Sequence, residues 1–325
     1  MISLRGRPDD RKGENGMKTI RTIVVAGAGT MGASMAETFA RHGYEVGLYD
    51  VSEEALKRGL QRIKAHLQAE IENGEMNTGE SEALLKRIQP TSDQTVFSSA
   101  DLLAEAIIES REAKMEFWRA ASVLVKESAI LASNTSGLSI TDLASAVVQP
   151  RRFIGMHWIN PPHIIPLIEV VKGEQTDEKT AQTIYDLCVV IHKKPVMVKD
   201  APGFVLNRIQ FAILRECLHI AEEGIASPED IDRVMKYALG IRYACLGPFE
   251  IADHGGLDIF HNIASYLFAD LSNETKSFSL LAKAFEENNY GVKTGRGFYD
   301  YSDGKDKEAV LYRDRMYQKV AKCLE

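Results

Sequence analysis

Glu169 is the one carboxylate in the apolar run Ile164-Ile165-Pro166-Leu167-Ile168-Glu169-Val170-Val171. A carboxylate inside such a strand has to be paired or protonated. His157 lies twelve residues earlier, in Gly155-Met156-His157-Trp158-Ile159-Asn160-Pro161-Pro162. A histidine within reach would satisfy the glutamate and gain an orienting partner, and a histidine held this way can accept or give a proton near neutral pH. A third polar cluster, Ser133-Asn134-Thr135-Ser136-Gly137, follows an apolar stretch. In an open α/β sheet, ligands sit at the carboxyl ends of strands, where both Ser136 and His157 are expected. Each residue also has an ordinary reading: a satisfied core histidine, a glutamate paired with lysine, an asparagine turning before Pro161. Their combination in one chain is what favours chemistry.

A second constellation lies near the start. Gly27-Ala28-Gly29-Thr30-Met31-Gly32 follows the β-branched run Thr22–Ala26 and opens a helical pattern that continues to about Arg41. A second strand, Glu45–Tyr49, ends at Asp50, 18 positions after Gly32. G-x-G-x-x-G alone is a weak signal, but this context makes it specific. Gly27 permits a tight turn, Gly29 lets backbone approach a pyrophosphate, and Gly32 lets helix and strand pack closely. The amides of Thr30 and Met31 then face the phosphates from the helix start. Asp50 would accept hydrogen bonds from the adenosine ribose and repel a 2′-phosphate. NAD is therefore expected over NADP; the other reading is a glycine turn of purely structural use.

The elements needed to carry these residues are legible around them. A helix is expected from Ser52 to about Glu72, then a break at Asn73–Gly79. Strands are expected at Ala104–Glu109, Ala129–Ser133, Phe153–His157, Leu167–Val171 and Pro195–Lys199, most of them separated by helical patterns. That order predicts an α/β fold: a Rossmann-like, doubly wound, mostly parallel sheet. After Asp200-Ala201-Pro202-Gly203 the pattern is helical: Phe204–Glu223, Pro228–Leu239, Leu257–Leu271, Ser277–Asn288 and about Ala309–Leu324. The expected domains are a disordered tail at 1–18, a cofactor domain at 19–200 and an all-helical domain at 201–325. Met17 stands just before the first strand as a possible biological start. The Phe204–Glu223 helix is too apolar to be a solvated surface element and predicts a homodimer.

Composition excludes several classes. Of 325 residues, 45% are hydrophobic and 26% charged, with a formal charge of −7. Nucleic acid as a partner would call for a basic excess. No apolar run approaches the ~18 residues of a membrane span. The first 16 residues lack the apolar core of a signal peptide. Cys188, Cys217, Cys245 and Cys323 form no C-x-x-C pair, as expected of reduced thiols in a cytoplasmic protein.

The chain resembles the 3-hydroxyacyl-CoA dehydrogenase family over nearly its whole length. The matching blocks are Gly27–Gly32, Ala106–Glu109 with Lys114, Ser133–Ser136, Gly155–Pro161, Pro202-Gly203-Phe204-Val205-Leu206-Asn207-Arg208 and Lys293-Thr294-Gly295-Arg296-Gly297-Phe298-Tyr299. The resemblance implies His157 as the base, Glu169 as its partner, and Ser136 and Asn207 as contacts for the reacting oxygen and the acyl carbonyl. Asn207 would reach them across a cleft between domains. The resemblance also implies Glu109, Lys114, Asn160 and Lys293 on the cofactor side, and a homodimer built on the helical domain. The substrate would be a small molecule, in the first instance a 3-hydroxyacyl-CoA.

Two features depart from the acyl-CoA members. The helix after Asp50 has no clear counterpart of their CoA-contacting Ser and Lys; Lys64, His66 and Asn73 are the candidates. The segment Leu239-Gly240-Ile241-Arg242-Tyr243-Ala244-Cys245-Leu246-Gly247-Pro248 is longer than their turn before Gly-Pro. It looks more like the lambda-crystallin (gulonate dehydrogenase) and carnitine dehydrogenase branches, whose substrates carry a free carboxylate. Arg242 would be a natural fork for that group, unless it pairs with Glu250. A CoA-free 3-hydroxy acid is thus the alternative substrate. A further alternative is an NAD-binding structural protein without turnover, though such a role needs none of His157, Glu169, Ser136 and Asn207.

Overall fold

The computed structural model describes residues 20–324; the tail expected at 1–18 lies outside them. The chain divides into two compact units, between Asn207 and Arg208. The division falls beyond residue 200 because the segment after Gly203 is tied back to the first unit. The Glu169 carboxylate accepts hydrogen bonds from the Val205 and Leu206 amides at 3.0 and 2.9 Å, and the Asn207 side chain donates to the Ser136 carbonyl at 2.6 Å.

In the first unit the elements follow the order β1 (Thr22–Ala26), α1 (Thr30–Arg41), β2 (Glu45–Tyr49), α2 (Glu53–Glu72), α3 (Thr78–Lys86), β3 (Ile88–Thr91), β4 (Leu102–Glu105), α4 (Arg111–Ala121), β5 (Ile130–Ser133), α5 (Ile140–Ala144), β6 (Phe153–Trp158), β7 (Leu167–Lys172), α6 (Glu178–Val190) and β8 (Lys194–Lys199). The strands form one sheet in the order β3-β2-β1-β4-β5-β6-β7-β8. Strand order reverses between β1 and β4, which makes their carboxyl ends the expected ligand crevice. Alternate residues of β1 go to opposite faces: Ile23 and Val25 join one buried cluster, Val24 and Ala26 another. The sheet is therefore covered on both sides, as an α/β sheet must be.

All strand pairs are parallel except β6 with β7. The loop 159–166 is too short for the helical crossover that parallel strands need. Two expectations are corrected, and one strand was not foreseen. β4 runs Leu102–Glu105, ending four residues before the Glu109 expected as its end. The break assigned to Asn73–Gly79 ends in the start of α3, where the Asn77 side chain and Glu80 form a capping box. β3 was not foreseen: it is an outer strand carrying Pro90, which only an edge tolerates.

The second unit is helical. α7 (Leu206–Glu222) leads into it, followed by α8 (Pro228–Val234), α9 (Gly240–Cys245), α10 (Pro248–Gly255), α11 (Leu257–Leu267), α12 (Ser279–Glu286) and α13 (Lys305–Lys322). Ser227 caps α8 by accepting the Asp230 N–H. The expected turn around Arg242 is instead helix. A π-helical stretch, Met235–Leu239, joins α8 to α9, and Gly240 keeps right-handed helical angles. A π turn absorbs an extra residue without breaking a helix, so the longer segment extends the helix rather than looping out. α10 was also unforeseen; Gly247 starts it by donating its N–H to Glu250 at 2.6 Å. Among the described residues of this unit only Leu218, Ile251 and Phe278 are buried apolar side chains. No helix among the described residues is long and apolar enough to cross a membrane.

Candidate active site

The antiparallel pair β6–β7 places His157 directly opposite Glu169. Direct partners in such a pair share a face of the sheet, and His157 Nδ1 lies 2.8 Å from Glu169 Oε2. Both residues are buried. The other oxygen of Glu169 accepts the Val205 and Leu206 amides at the entrance to α7. Burial on its own would raise the pKa of this carboxyl. The His157 hydrogen bond and the two amides outweigh burial and hold it below the usual 4.5. An ionised Glu169 fixes the proton of a neutral imidazole on Nδ1, which leaves Nε2 as the basic nitrogen. The Phe204 ring packs 5.7 Å from the imidazole. Phe204 is itself buried in a left-handed conformation, φ 50°, a cost accepted where the chain must deliver two successive amides to one carboxylate.

Beside this pair lies a charge network at the ends of β4 and β5. Lys114 on α4 is 1% exposed and donates to Glu105, which is fully buried. It also lies 3.2 Å from Glu109. Glu105 in turn accepts from Ser133 Oγ at 2.7 Å and the Ile107 amide at 2.9 Å. Glu109 accepts from Thr135 Oγ1 at 2.6 Å, from the Ser136 amide at 2.8 Å and from Ser136 Oγ at 3.3 Å. Burial would raise the Glu109 pKa, but the Thr135 hydrogen bond, the Lys114 charge and the Ser136 amide bring it below normal. The network fixes the Ser133–Ser136 turn, and Asn207 holds the same turn through the Ser136 carbonyl. Asn207 therefore belongs to the first unit and spends one N–H on its backbone, which corrects the expectation of a side chain reaching across a cleft. Asn134 closes the arrangement: its Oδ1 accepts the Trp158 amide at 2.8 Å, tying β5 to the residue after His157.

The glycine loop at the strand-order reversal fits a dinucleotide. A Cβ on Gly27 would lie 2.5 Å from the Ala106 carbonyl oxygen, and one on Gly32 would collide with the Gly27 carbonyl oxygen. Those two glycines are demanded by the protein's own packing. Gly29 is different: nothing lies within 4 Å of the position a Cβ would take, so the space it leaves is open to a ligand. No side chain caps the start of α1 and no acid lies in its first turn, which leaves the amides of Thr30 and Met31 to an anion. Asp50 is held at the end of β2 by the amides of Ala28 and Ser52, at 2.8 and 2.9 Å. These are the features NAD requires.

The remaining predicted residues lie outside these networks. Asn160 is exposed in the loop 159–166. Lys293 and Arg242 are exposed in the second unit. Arg242 sits in the last turn of α9, and the Glu250 carboxylate proposed as its partner is engaged by the Gly247 amide. Of the CoA candidates, Lys64 is exposed on α2, Asn73 is its C-cap, and His66 is committed to Glu37 at 2.8 Å. Sequence reasoning missed Glu105, Thr135 and Lys193. Glu105 carried the same signal as Glu169, a lone acid closing the apolar run Leu102-Leu103-Ala104. Lys193 carried none: it sits among Lys194 and Lys199 and is distinguished only by being buried.

Comparison with known proteins identifies the family. The family model described as 3-hydroxyacyl-CoA dehydrogenase, NAD binding domain, matches residues 22–201. The model of the C-terminal domain of the same family matches residues 203–301. The chain is 37% identical over 308 residues to 5-formyl-3-hydroxy-2-methylpyridine 4-carboxylate 5-dehydrogenase of Mesorhizobium japonicum, covering 94% of this chain and 99% of that protein. It is 39% identical over 285 residues to a probable 3-hydroxybutyryl-CoA dehydrogenase of Bacillus subtilis, covering 87% and 98%. Among solved structures, a 5-dehydrogenase of that pyridine carboxylate, an NAD+ dependent dismutase, superposes with a TM-score of 0.87 at 36% identity, over 94% of this chain and 99% of its own. (S)-3-hydroxybutyryl-CoA dehydrogenase from Ralstonia eutropha gives 0.75 at 34% identity, over 88% and 100%.

Proposed function

The chain belongs to the 3-hydroxyacyl-CoA dehydrogenase family, and from that premise we propose that it oxidises the hydroxyl at carbon 3 of a small substrate with a free carboxylate. It is an NAD-dependent oxidoreductase acting on CH–OH groups. In our reading, His157 Nε2 accepts the hydroxyl proton, help worth roughly 10²–10⁴-fold. Glu169 orients the ring and stabilises the imidazolium that forms. Ser136 and Asn207 hold the substrate oxygens so that the reacting C–H is aligned. NAD, when bound, supplies the hydride acceptor. Glu109, Lys114 and Asn160 line the cofactor's reactive end. Four free cysteines fit a reducing, cytoplasmic setting.

The observation that carries the CoA-free carboxylate is end-to-end likeness to the pyridine-carboxylate enzyme, whose named substrate bears a carboxylate and a formyl group; the carbon-3 hydroxyl follows instead from the hydroxybutyryl-CoA relatives. That likeness extends over 94% of this chain, against 88% for the hydroxybutyryl-CoA enzyme from Ralstonia eutropha, with the higher TM-score. Arg242, on the extended helix, is our candidate for the carboxylate fork. The alternative, a 3-hydroxyacyl-CoA, is favoured by the Lys293–Tyr299 ending and by the hydroxybutyryl-CoA relatives. A panel of free 3-hydroxy acids beside 3-hydroxybutyryl-CoA, followed by NADH absorbance, decides between them. Arg242→Ala should raise KM for a free acid by roughly ten- to a hundredfold, the loss of a charged hydrogen bond of about 1.5–3 kcal/mol. It should barely change turnover of the thioester. Preference for the thioester in wild-type protein would overturn the assignment.

We further propose that the chain works as a homodimer paired through its second unit. Ile209, Phe211 and Ile213 on α7 are 52%, 60% and 36% exposed, and three buried apolar residues are too few to hold a helical unit of this length together.

A further inference from the structure

We propose that Lys193 is a positioning residue for the reaction, its buried ammonium fixing the loop 159–166 and, through it, Asn160. This rests on the reading of Asn160 as a cofactor contact. Lys193 follows α6 and precedes β8, and His192 before it has φ 57°, which turns the chain. The side chain is 8% exposed. Its Nζ donates to the Pro162 carbonyl at 2.6 Å and to the Ile165 carbonyl at 3.0 Å. It also stands 5.3 Å from the centre of the Trp158 ring.

The loop explains why a cation is needed there. It joins the strand that carries His157 to the strand that carries Glu169. Pro161, Pro162 and Pro166 have no N–H, so the loop has fewer donors than carbonyls. The Ile164 and Ile165 amides are both used on the Pro161 carbonyl. Lys193 supplies donors that the loop itself cannot. It pairs with no carboxylate among the described residues. A buried cation without an anion is a poor device for stability, because desolvation opposes it. What the ammonium does provide is direction: two carbonyls on either side of the turn and the face of the indole, all held from one point. Trp158 depends on that hold. Its Nε1–H has no acceptor among the described residues, and its aromatic neighbour Phe39 meets it edge-on at 5.6 Å. Trp158 is the neighbour of His157, so the same contact steadies the end of the catalytic strand.

The test combines binding with fluorescence. NADH affinity is measured for wild type, Asn160→Ala, Lys193→Met and the double variant. Each single change should weaken binding about tenfold through misplacement, and the double variant should be no weaker than either one, since both act through one element. Multiplying effects in the double variant, or wild-type affinity in Lys193→Met, overturns the proposal. Unchanged affinity in Asn160→Ala removes the reading of Asn160 and the proposal with it. None of these measurements needs a substrate, so failure of the whole substrate panel leaves them readable.

If Lys193→Met does not fold, the native lysine can still be interrogated. The chain has two tryptophans, so Trp118→Phe leaves Trp158 as the reporter. Burial pushes the Lys193 amine down to about 8, and Trp158 emission should titrate with a midpoint there. The other titratable groups packed nearby are Cys188, whose thiol burial pushes up to about 12, and the His42–His192 pair; burial drives His42 below its ordinary value. A flat Trp158 profile across that range overturns the ammonium–indole contact and the positioning role built on it. Where the variant does fold, Lys193→Gln should restore part of the NADH affinity, because an amide still donates to the two carbonyls.

Discussion

At the scale of single residues, the acids of the site are held by their donors. Glu169 and Glu105 are buried and Glu109 is partly open to solvent, yet each is met by several hydrogen bonds, and those donors fix the turn and the strand end beside them. His157→Gln should lower kcat by roughly 10²-fold or more with NADH affinity nearly unchanged; stopped-flow turnover and NADH titration together check it. Glu169→Gln should also lower kcat, since the imidazolium loses its charged partner. Glu169 has a pH signature as well. Its pKa is below 4.5 in the folded protein, so the stability it contributes is present above pH 4.5 and lost as pH falls through the folded value. Acid unfolding monitored below pH 4.5 should be steeper for wild type than for Glu169→Gln. His157 and Glu169 could be paired from sequence because a lone acid in an apolar strand has few ways to exist. Lys193 could not, because a buried lysine and a solvated one look alike until the fold is known.

At the scale of elements, two of the loop glycines serve the fold and one serves a ligand, and substitution should separate them. Gly32→Ala forces a Cβ against the Gly27 carbonyl and should cost about 1–3 kcal/mol or more of stability. Gly29→Ala has open space and an ordinary φ of −68°. It should leave the melting temperature of the free protein nearly unchanged while weakening NAD roughly tenfold or more. Equal losses of stability in both variants would contradict this division. The α1–α2 pair carries a pH-dependent contact of its own. His66 lies 2.8 Å from Glu37, whose other neighbours are Arg41 and, through it, Glu70. The Glu37 hydrogen bond raises the His66 pKa above 6.5. Its contribution is therefore complete below pH 6.5 and lost as pH rises through the higher folded value. Wild type should lose about 1–3 °C of melting temperature over that rise, and His66→Gln should not. The parallel strands and their helices were legible in the sequence, since buried runs and caps are local signals. β3, α3 and α9 were not. Pro90 reads as a break unless the strand is known to be an edge. Thr78-Gly79 reads as a turn unless Asn77 is recognised as a cap, and the π turn before Gly240 has no local signature.

At the scale of the whole chain, the two units differ in how they are held. A buried apolar cluster lies on each face of the sheet in the first, whereas the second has three buried apolar side chains among its described residues. Sedimentation at micromolar concentration should give a dimer, and a clean monomer would contradict the proposed pairing. The family and its division into a sheet and a helical part were readable from motifs spread along the chain; which hydroxy substrate it takes was not, because one arginine on a surface helix does not name its ligand. The sparse interior of the second unit has a practical corollary. If the proposed pairing completes its packing, dilution acts as a denaturant, and stability is a function of protomer concentration. Its melting temperature should rise with concentration. Activity assayed at nanomolar enzyme should decay during incubation and be slowed in that decay by NADH, or by added inactive His157→Gln protein that can lend its second unit.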